Sequence, residues 1–403
     1  MGVDVSSDRK RVLFVLGTLW GENGITTHLL TLARGLIKHG WDVALASSLA
    51  DSVDGANEEA NRAVEKFRAR DIQVFLIPFP KLSLSTKSIL QATHTIHQLN
   101  QVITHFQPTV IHIHSLSVCP YIHLIRLLHP IPFVSTCHVE PTQKRLGVRL
   151  GMLVGSHFKS LFGDRVIAVS SELKEAYRHV MQVPDENIRL IFHGIEHEQF
   201  RPPTSEERLN ARESFGLAST DKVVCLIGRL SRTKGHRLLI EALSLLQAQH
   251  LPVVALCAGK GYANEKEVVQ LQAKQAGVLE ALHLLDFVDT RQVLWASDVI
   301  VLPSSQHSEA FALVIAEAMF CGVVPVRTPA AGAVDQIDDG INGYIVPFQD
   351  SKVLASRLQQ ILQNNELKDS LATAAIETAN QKFTVDRMVE DTIATYSEIK
   401  TQR

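Results

Sequence analysis

Two segments of this chain hold side chains whose types and spacing could do chemistry. The first, Gly228-Arg229-Leu230-Ser231-Arg232-Thr233-Lys234-Gly235, sets cations on a glycine-bounded turn directly after an apolar run. The second, Glu309-Ala310-Phe311-Ala312-Leu313-Val314-Ile315-Ala316-Glu317-Ala318-Met319, holds two carboxylates eight positions apart, the later one inside an apolar stretch. Glycine lets backbone turn close to a ligand, arginine makes forked contacts to phosphate oxygens, and lysine adds a compact charge beside it. A helix opening near His236 would add the positive end of its dipole. A carboxylate buried among apolar residues without partners costs on the order of a few kcal/mol, so Glu317 either faces solvent or accepts hydrogen bonds from specific donors such as sugar hydroxyls. Cations suit a diphosphate and carboxylates suit hydroxyls, and a nucleotide sugar carries both. Taken singly, a solvated basic turn and an exposed helical glutamate are the alternatives.

Other segments add to this pair. Gly17-Thr18-Leu19-Trp20-Gly21-Glu22-Asn23-Gly24-Ile25-Thr26-Thr27-His28 is glycine-rich and opens a helix. It lacks the G-x-G-x-x-G spacing of a dinucleotide fingerprint, and no acidic residue closes the second strand. It is expected to be a loop that approaches phosphate or sugar, with Thr26 or Thr27 as a mere helix cap the other reading. His138 ends the run Phe133-Val134-Ser135-Thr136-Cys137, at an edge where catalytic residues collect. Ile111-His112-Ile113-His114 is expected to line a strand end rather than bind metal. No D-x-D pair and no Walker A sequence occurs, so Arg229, Lys234 and helix dipoles must balance the leaving group's charge, with no metal and no cofactor.

These residues need a scaffold. β-rich runs at Arg11–Leu16, Val43–Ala46, Gln73–Ile77, Val110–His114, Phe133–Thr136, Val166–Val169 and Arg189–Phe192 alternate with helical patterns such as Thr26–Lys38 and Ile89–His105. After a pause at His193–Thr204, which contains Gly194 and Pro202-Pro203, the alternation resumes at Val223–Ile227, Val253–Ala258, His283–Leu285, Val299–Leu302 and Val324–Arg327. Wholly apolar strands with helical crossovers imply parallel sheets covered on both faces. Two doubly wound α/β domains follow, with ligands expected outside the C-terminal strand ends and in a cleft between the domains.

Composition agrees. The chain has 403 residues, 45% hydrophobic and 20% charged, a length at which two domains are the default. Its net charge of −2 gives no signature for nucleic acid. Cys119, Cys137, Cys225, Cys257 and Cys321 are scattered, as expected of reduced, buried thiols in a cytoplasmic protein. The polar start, Met1 to Lys10, is not expected to be a secretory signal, and no run of apolar residues is long enough to span a bilayer. Residues 144–165 mix Lys144, Arg145, Arg149, Lys159 and Arg165 with apolar residues. The favoured reading is a crossover helix; peripheral contact with the inner membrane face is the alternative.

The G-R-L-x-x-x-K-G and E-x-F-x-L-x-x-x-E-A-M segments together resemble those of the retaining family 4 glycosyltransferases of GT-B fold, across nearly the whole chain. His193-Gly194-Ile195-Glu196 and Gly322-Val323-Val324-Pro325-Val326 support the resemblance, and Asp339-Gly340-Ile341-Asn342-Gly343-Tyr344-Ile345-Val346 is similar to the family's closing hairpin. The resemblance implies two Rossmann-like domains: an acceptor-binding domain at 1–197 and a nucleotide-sugar-binding domain at 198–384, with a helix at 385–403 crossing back to the first. It implies that Arg229 and Lys234 bind the donor diphosphate. Glu309 would hold donor-sugar hydroxyls with the amides of Phe311, Ala312 and Leu313. Glu317 would bind ribose, Phe287 and Val288 the base, Gly24 the phosphates, and His138 the donor sugar, so that His138 and Glu309 are the catalytic pair. The implied activity is metal-independent hexosyl transfer from UDP-glucose or a related UDP-sugar to an unknown sugar or lipid-linked acceptor, in polysaccharide or glycolipid synthesis. A UDP-sugar 2-epimerase of the same architecture and a non-catalytic nucleotide-sugar-binding protein are the rivals. The sequence departs from the family at Asn23, Ala310, Ala312 and His193; Ala312 adds a methyl where backbone would meet the ligand.

Overall fold

A computed structural model describes residues 10–21, 23–50, 56–80, 83, 85–139, 161–261, 264–286 and 288–399. Phe287 and residues 144–160 of the basic segment therefore lie outside the described residues. The chain forms two compact units, 1–194 together with 385–403, and 195–384.

The first unit holds a seven-stranded sheet of β1 (Lys10–Leu19), β2 (Trp41–Leu49), β3 (Gln73–Leu76), β4 (Val110–Ile113), β5 (Phe133–Cys137), β6 (Arg165–Ala168) and β7 (Ile188–Leu190). Its spatial order is β3-β2-β1-β4-β5-β6-β7, and every pairing is parallel. The pleat explains why β1 is apolar throughout. Val12, Phe14 and Leu16 face a core with Leu29, Leu32, Leu36 and Met388, whereas Leu13 and Val15 face another with Ile103, Phe106 and Ile122.

The second unit has β8 (Val223–Ile227), β9 (Val254–Ala258), β10 (Leu282–Leu285), β11 (Val299–Leu302), β12 (Val324–Arg327) and β13 (Tyr344–Ile345). The order is β10-β9-β8-β11-β12-β13, again all parallel. Both units thus wind outward in both directions from their first strand, which is the doubly wound plan.

Helix Val385–Glu398 belongs to the first unit, where it packs on helix Gly24–Lys38. The contact is close: a Cβ at Gly35 would sit 2.3 Å from Val389 Cγ2. The helix is also held by polar contacts. Arg165 and Arg189 both donate to the Glu398 carboxylate, and buried His112 Nδ1 lies 2.7 Å from the Tyr396 hydroxyl.

Two expectations are corrected. Gly17, Thr18 and Leu19 are not loop but the last residues of β1, paired to β2 across a register shift between Leu16 and Thr18. Asp339–Val346 is not an antiparallel hairpin. Gly340 N donates to Gly343 O across a turn, and β13 then pairs parallel with β12, because the chain has already crossed back over the sheet.

Candidate functional site

Strand order reverses between β8 and β11, so the C-terminal ends of these two strands flank the switch point of the second sheet. Residues 228–235 follow β8, and the loop leading to Glu309 follows β11. After β8 the backbone passes Gly228 (φ 156°), makes a short turn at Arg232–Lys234, and reaches Gly235 with φ 79°. Glycine is required there: a Cβ at Gly235 would lie 2.0 Å from the Pro303 carbonyl oxygen, in the loop after β11. The same closeness lets Ser305 N donate to Thr233 O at 2.8 Å. The two segments are therefore tied together through their backbones.

This tie brings Lys234 and Glu309 into contact. Lys234 Nζ donates to Glu309 Oε1 at 2.6 Å, and Ser304 Oγ donates to the same oxygen at 2.7 Å. Side-chain exposures of 18% and 9% place the ion pair largely out of water, where charge-assisted bonds are strongest. Thr328 Oγ1 donates to Ser304 O at 2.5 Å and fixes the loop from the neighbouring strand end. Arg229 is exposed, with no hydrogen bond or ion pair among the described residues.

Two helices start beside this pair. Neither His236–Ala248, entered from Gly235, nor Leu313–Phe320, entered from Ala312, has a side-chain cap at its N-terminus. Their first amides are the kind of group that binds anionic oxygen. Gln336 Nε2 donates to Ala312 O at 2.9 Å and holds the second entry. Phe311 is buried with its ring edge-on to Phe383, centroids 5.3 Å apart, so its side chain is committed to packing. Glu317 lies one helix turn and more beyond, partly buried, with no side-chain hydrogen bond or ion pair among the described residues; desolvation lifts its carboxyl from 4.5 to about 7. Val288, after β10, is exposed.

The first sheet reverses between β1 and β4. The loop after β1 is reduced to Trp20–Asn23, and Gly24 is the first helical residue. Asn23 is the cap, its Oδ1 accepting from Ile25 N and Thr26 N at 2.9 and 3.1 Å, so neither Thr26 nor Thr27 has that role. Thr26 Oγ1 instead donates to Gly21 O at 2.6 Å and closes the loop on itself.

His138 does not stand alone. It follows β5, and its Nε2 lies 3.1 Å from Nδ1 of His114, which follows β4. His28 reaches in from the helix after β1, its ring 5.3 Å from His138 and stacked at 4.1 Å on His193. Burial and mutual repulsion push all of these imidazoles towards the neutral form, His138 down to about 4 and the other three well below their usual range. His112, one residue inside β4, is satisfied by the Tyr396 hydroxyl and by Thr136 Oγ1 at 2.6 Å.

Sequence reasoning missed Ser304, His28 and His193. Ser304 carries no signal of its own, and neither does the joining of His28 and His193 across the chain. His28 did have one: it is in helical phase with Leu32 and Leu36, the buried stripe of its helix.

Comparison with known proteins fits this geometry. Residues 207–378 match the family model described as glycosyl transferases group 1, and residues 22–199 match that of glycosyltransferase family 4. An uncharacterized glycosyltransferase of Methanocaldococcus jannaschii is 25% identical over 386 residues, covering 93% of this chain and 94% of that one. The D-inositol 3-phosphate glycosyltransferase of Jonesia denitrificans is 26% identical, covering 67% of each. Among solved structures, the Anabaena protein HepE in complex with UDP superposes with a TM-score of 0.81 at 20% identity, over 96% of this chain and 100% of that one. HepE has also been solved with UDP-glucose.

Proposed function

Because the chain belongs to the family 4 glycosyltransferases, we propose that it moves a sugar from a UDP-sugar, UDP-glucose or a close relative, to an acceptor hydroxyl with retention at the anomeric carbon. The observation that carries this reading is the Lys234–Glu309 pair with Ser304, at the switch point between β8 and β11 and beside two uncapped helix starts. Such a place offers positive charge for a diphosphate within one side chain's reach of a carboxylate for hydroxyls. HepE, a fold neighbour, was solved with UDP and with UDP-glucose, which supports that donor as the first to try.

Roles follow from the chemistry. Arg229, Lys234 and the amides at the two helix starts stabilise the leaving diphosphate as its negative charge develops. Lys234 must then loosen its hold on Glu309, and the freed carboxylate accepts from donor-sugar hydroxyls. Glu317 accepts from the ribose hydroxyls, Val288 with Phe287 touches the base, and Gly24 approaches the phosphates. His138, neutral at physiological pH, hydrogen-bonds the sugar. The bond from the anomeric carbon to the diphosphate breaks, a bond to the acceptor oxygen forms on the same face, and the acceptor's proton passes to the departing phosphate. No step needs a divalent ion on the diphosphate. A polyol phosphate is a sensible first acceptor, given the substrate for which the Jonesia relative is named.

The test is a thermal-shift and hydrolysis screen of nucleotide sugars, with and without EDTA, followed by acceptor trials with the product's anomeric configuration read by NMR. Binding of a UDP-sugar and an axial-to-axial or equatorial-to-equatorial transfer are expected, unaffected by EDTA. Conversion of a UDP-sugar to its epimer without acceptor, or an inverted product, would overturn the proposal.

A further inference from the structure

The four histidines at the switch point of the first sheet exceed what sugar binding asks of His138. Three of them, His28, His114 and His138, come from three different elements, and one ligand-capable nitrogen of each lies within 4.8 Å of the others. His28 and His114 are buried, at 5% and 3% exposure. Both ring nitrogens of His28 and Nε2 of His114 are out of water with no hydrogen-bond partner among the described residues. Buried polar atoms are normally paired, and orphaned nitrogens on two of three imidazoles brought this close together need a reason.

We propose that His28, His114 and His138 form a binding site for one late first-row divalent ion, Zn2+ or a neighbour such as Co2+ or Ni2+. The donor set selects the class of ion. Three neutral imidazoles and no carboxylate suit Zn2+, Cu2+, Ni2+ and Co2+ and suit Mg2+, Ca2+ and Mn2+ poorly. A metal needs the neutral ring, and burial already holds these rings neutral at physiological pH. The approach of three nitrogens to within 4.8 Å is compatible with Zn–N bonds of ~2.0–2.1 Å after small rotations of the rings. His193, stacked on His28, shields the site from one side. The expectation of no metal rested on the lack of an acidic pair, and in the sequence His112 and His114 look only like strand-end residues. The topology adds what the spacing hides, since residues 28, 114 and 138 meet only once β1, β4 and β5 are side by side.

The consequence for activity rests on the role given to His138 above. An ion that takes a lone pair of His138 removes that residue from the sugar, so Zn2+ would act as an inhibitor, and the site would report on metal supply.

The experiment uses the full chain titrated with Co2+ and then with Zn2+. Expected are one Co2+ per chain with the visible bands of a tetrahedral, nitrogen-ligated ion and displacement of those bands by Zn2+. His28→Asn and His114→Asn should each weaken binding by more than the ~10–100-fold that loss of an outer-shell partner costs. The proposal fails if no saturable binding occurs, if a thiolate-to-cobalt band appears, which would point to one of the five cysteines, or if neither variant weakens binding. Should the variants not fold, X-ray absorption on the wild-type zinc form decides: a first shell with three imidazoles supports the site, and one with sulfur or with oxygen alone overturns it. Donor turnover is measured in parallel. Zn2+ that binds as described without slowing turnover leaves the metal site standing and refutes the role of His138 instead.

Discussion

Replacing Glu317 by glutamine should stabilise the protein at pH 8 and leave it nearly unchanged at pH 4. Its carboxyl is lifted from 4.5 to about 7 by desolvation, with no hydrogen bond or ion pair among the described residues to offset the cost. Below 4.5 the folded and unfolded states both carry the proton. As pH rises from there through about 7, the unfolded chain ionises first, so stability is lost across that window and the loss is complete above it. Each tenfold change in proton affinity is about 1.4 kcal/mol, which sets a ceiling of about 3 kcal/mol. Partial solvent access lowers the expected value to about 1–3 kcal/mol. The amide mimics the protonated acid, so Glu317→Gln should recover that amount at pH 8, a rise of roughly 2–10 °C in Tm for a unit of this size.

Nucleotide binding should run the other way. If ribose hydroxyls donate to Glu317, they favour its charged form, and UDP affinity of the wild type should rise between pH 5 and pH 8 by up to ~100-fold. Glu317→Gln should lack that rise. Ionisation of the phosphate itself appears in both proteins and cancels in the comparison. The assays are Tm by differential scanning fluorimetry and Kd by calorimetry across this pH range. Parallel Tm curves for the two proteins would refute the desolvation argument; divergent Tm curves with parallel Kd curves would retain it and refute the ribose role.

Lys234→Ala and Glu309→Gln should each lower donor turnover by roughly 10²–10³, measured as kcat at saturating acceptor, since each removes one side of the pair that faces the reacting centre. Gly35→Ala should cost about 1–2 kcal/mol in denaturant unfolding, because the new methyl meets Val389 at 2.3 Å and outweighs the helix-propensity gain of ~1 kcal/mol. Tyr396→Phe should cost about 1–3 kcal/mol by the same measurement, as it strips His112 Nδ1 of its buried partner. His28→Leu should leave the metal-free protein as stable as before or more so, since both of its ring nitrogens lack partners; a loss above about 1 kcal/mol would mean the ring is there for packing.

The doubly wound plan was legible because each central strand is apolar on both faces, and β1 shows why: its alternate residues enter two separate cores. The two charged segments were legible because glycine and charge punctuate the chain where it leaves β8 and β11. Their mutual contact was not. The hydrogen bond from Ser305 N to Thr233 O, and with it the Lys234–Glu309 pair, depends on β8 and β11 being neighbours, which local pattern does not say. The end of β1 was misplaced for a physical reason: Gly17 reads as a breaker, yet a register shift beside it carries the strand past the glycine to Leu19. His28 was visible only as one more residue on a buried helical stripe.

The two switch points share one topology and differ in chemistry. In the second unit, charge sits at the strand ends, where Lys234 and Glu309 partner each other and Arg229 is exposed. In the first unit the groups at the strand ends are neutral imidazoles, and both nitrogens of His28 and Nε2 of His114 have no hydrogen-bond partner among the described residues. A neutral ring can be buried at a cost far below that of a charge, so such a cluster is tolerated where a cluster of lysines would not be. Tolerance does not explain convergence, however. Packing alone would be served as well by leucine at position 28, in phase with Leu32 and Leu36, and without two unsatisfied nitrogens. Orphaned lone pairs on rings brought within 4.8 Å of one another make sense towards something that accepts them. A sugar hydroxyl can occupy one of these imidazoles, His138, while three at once call for a metal ion.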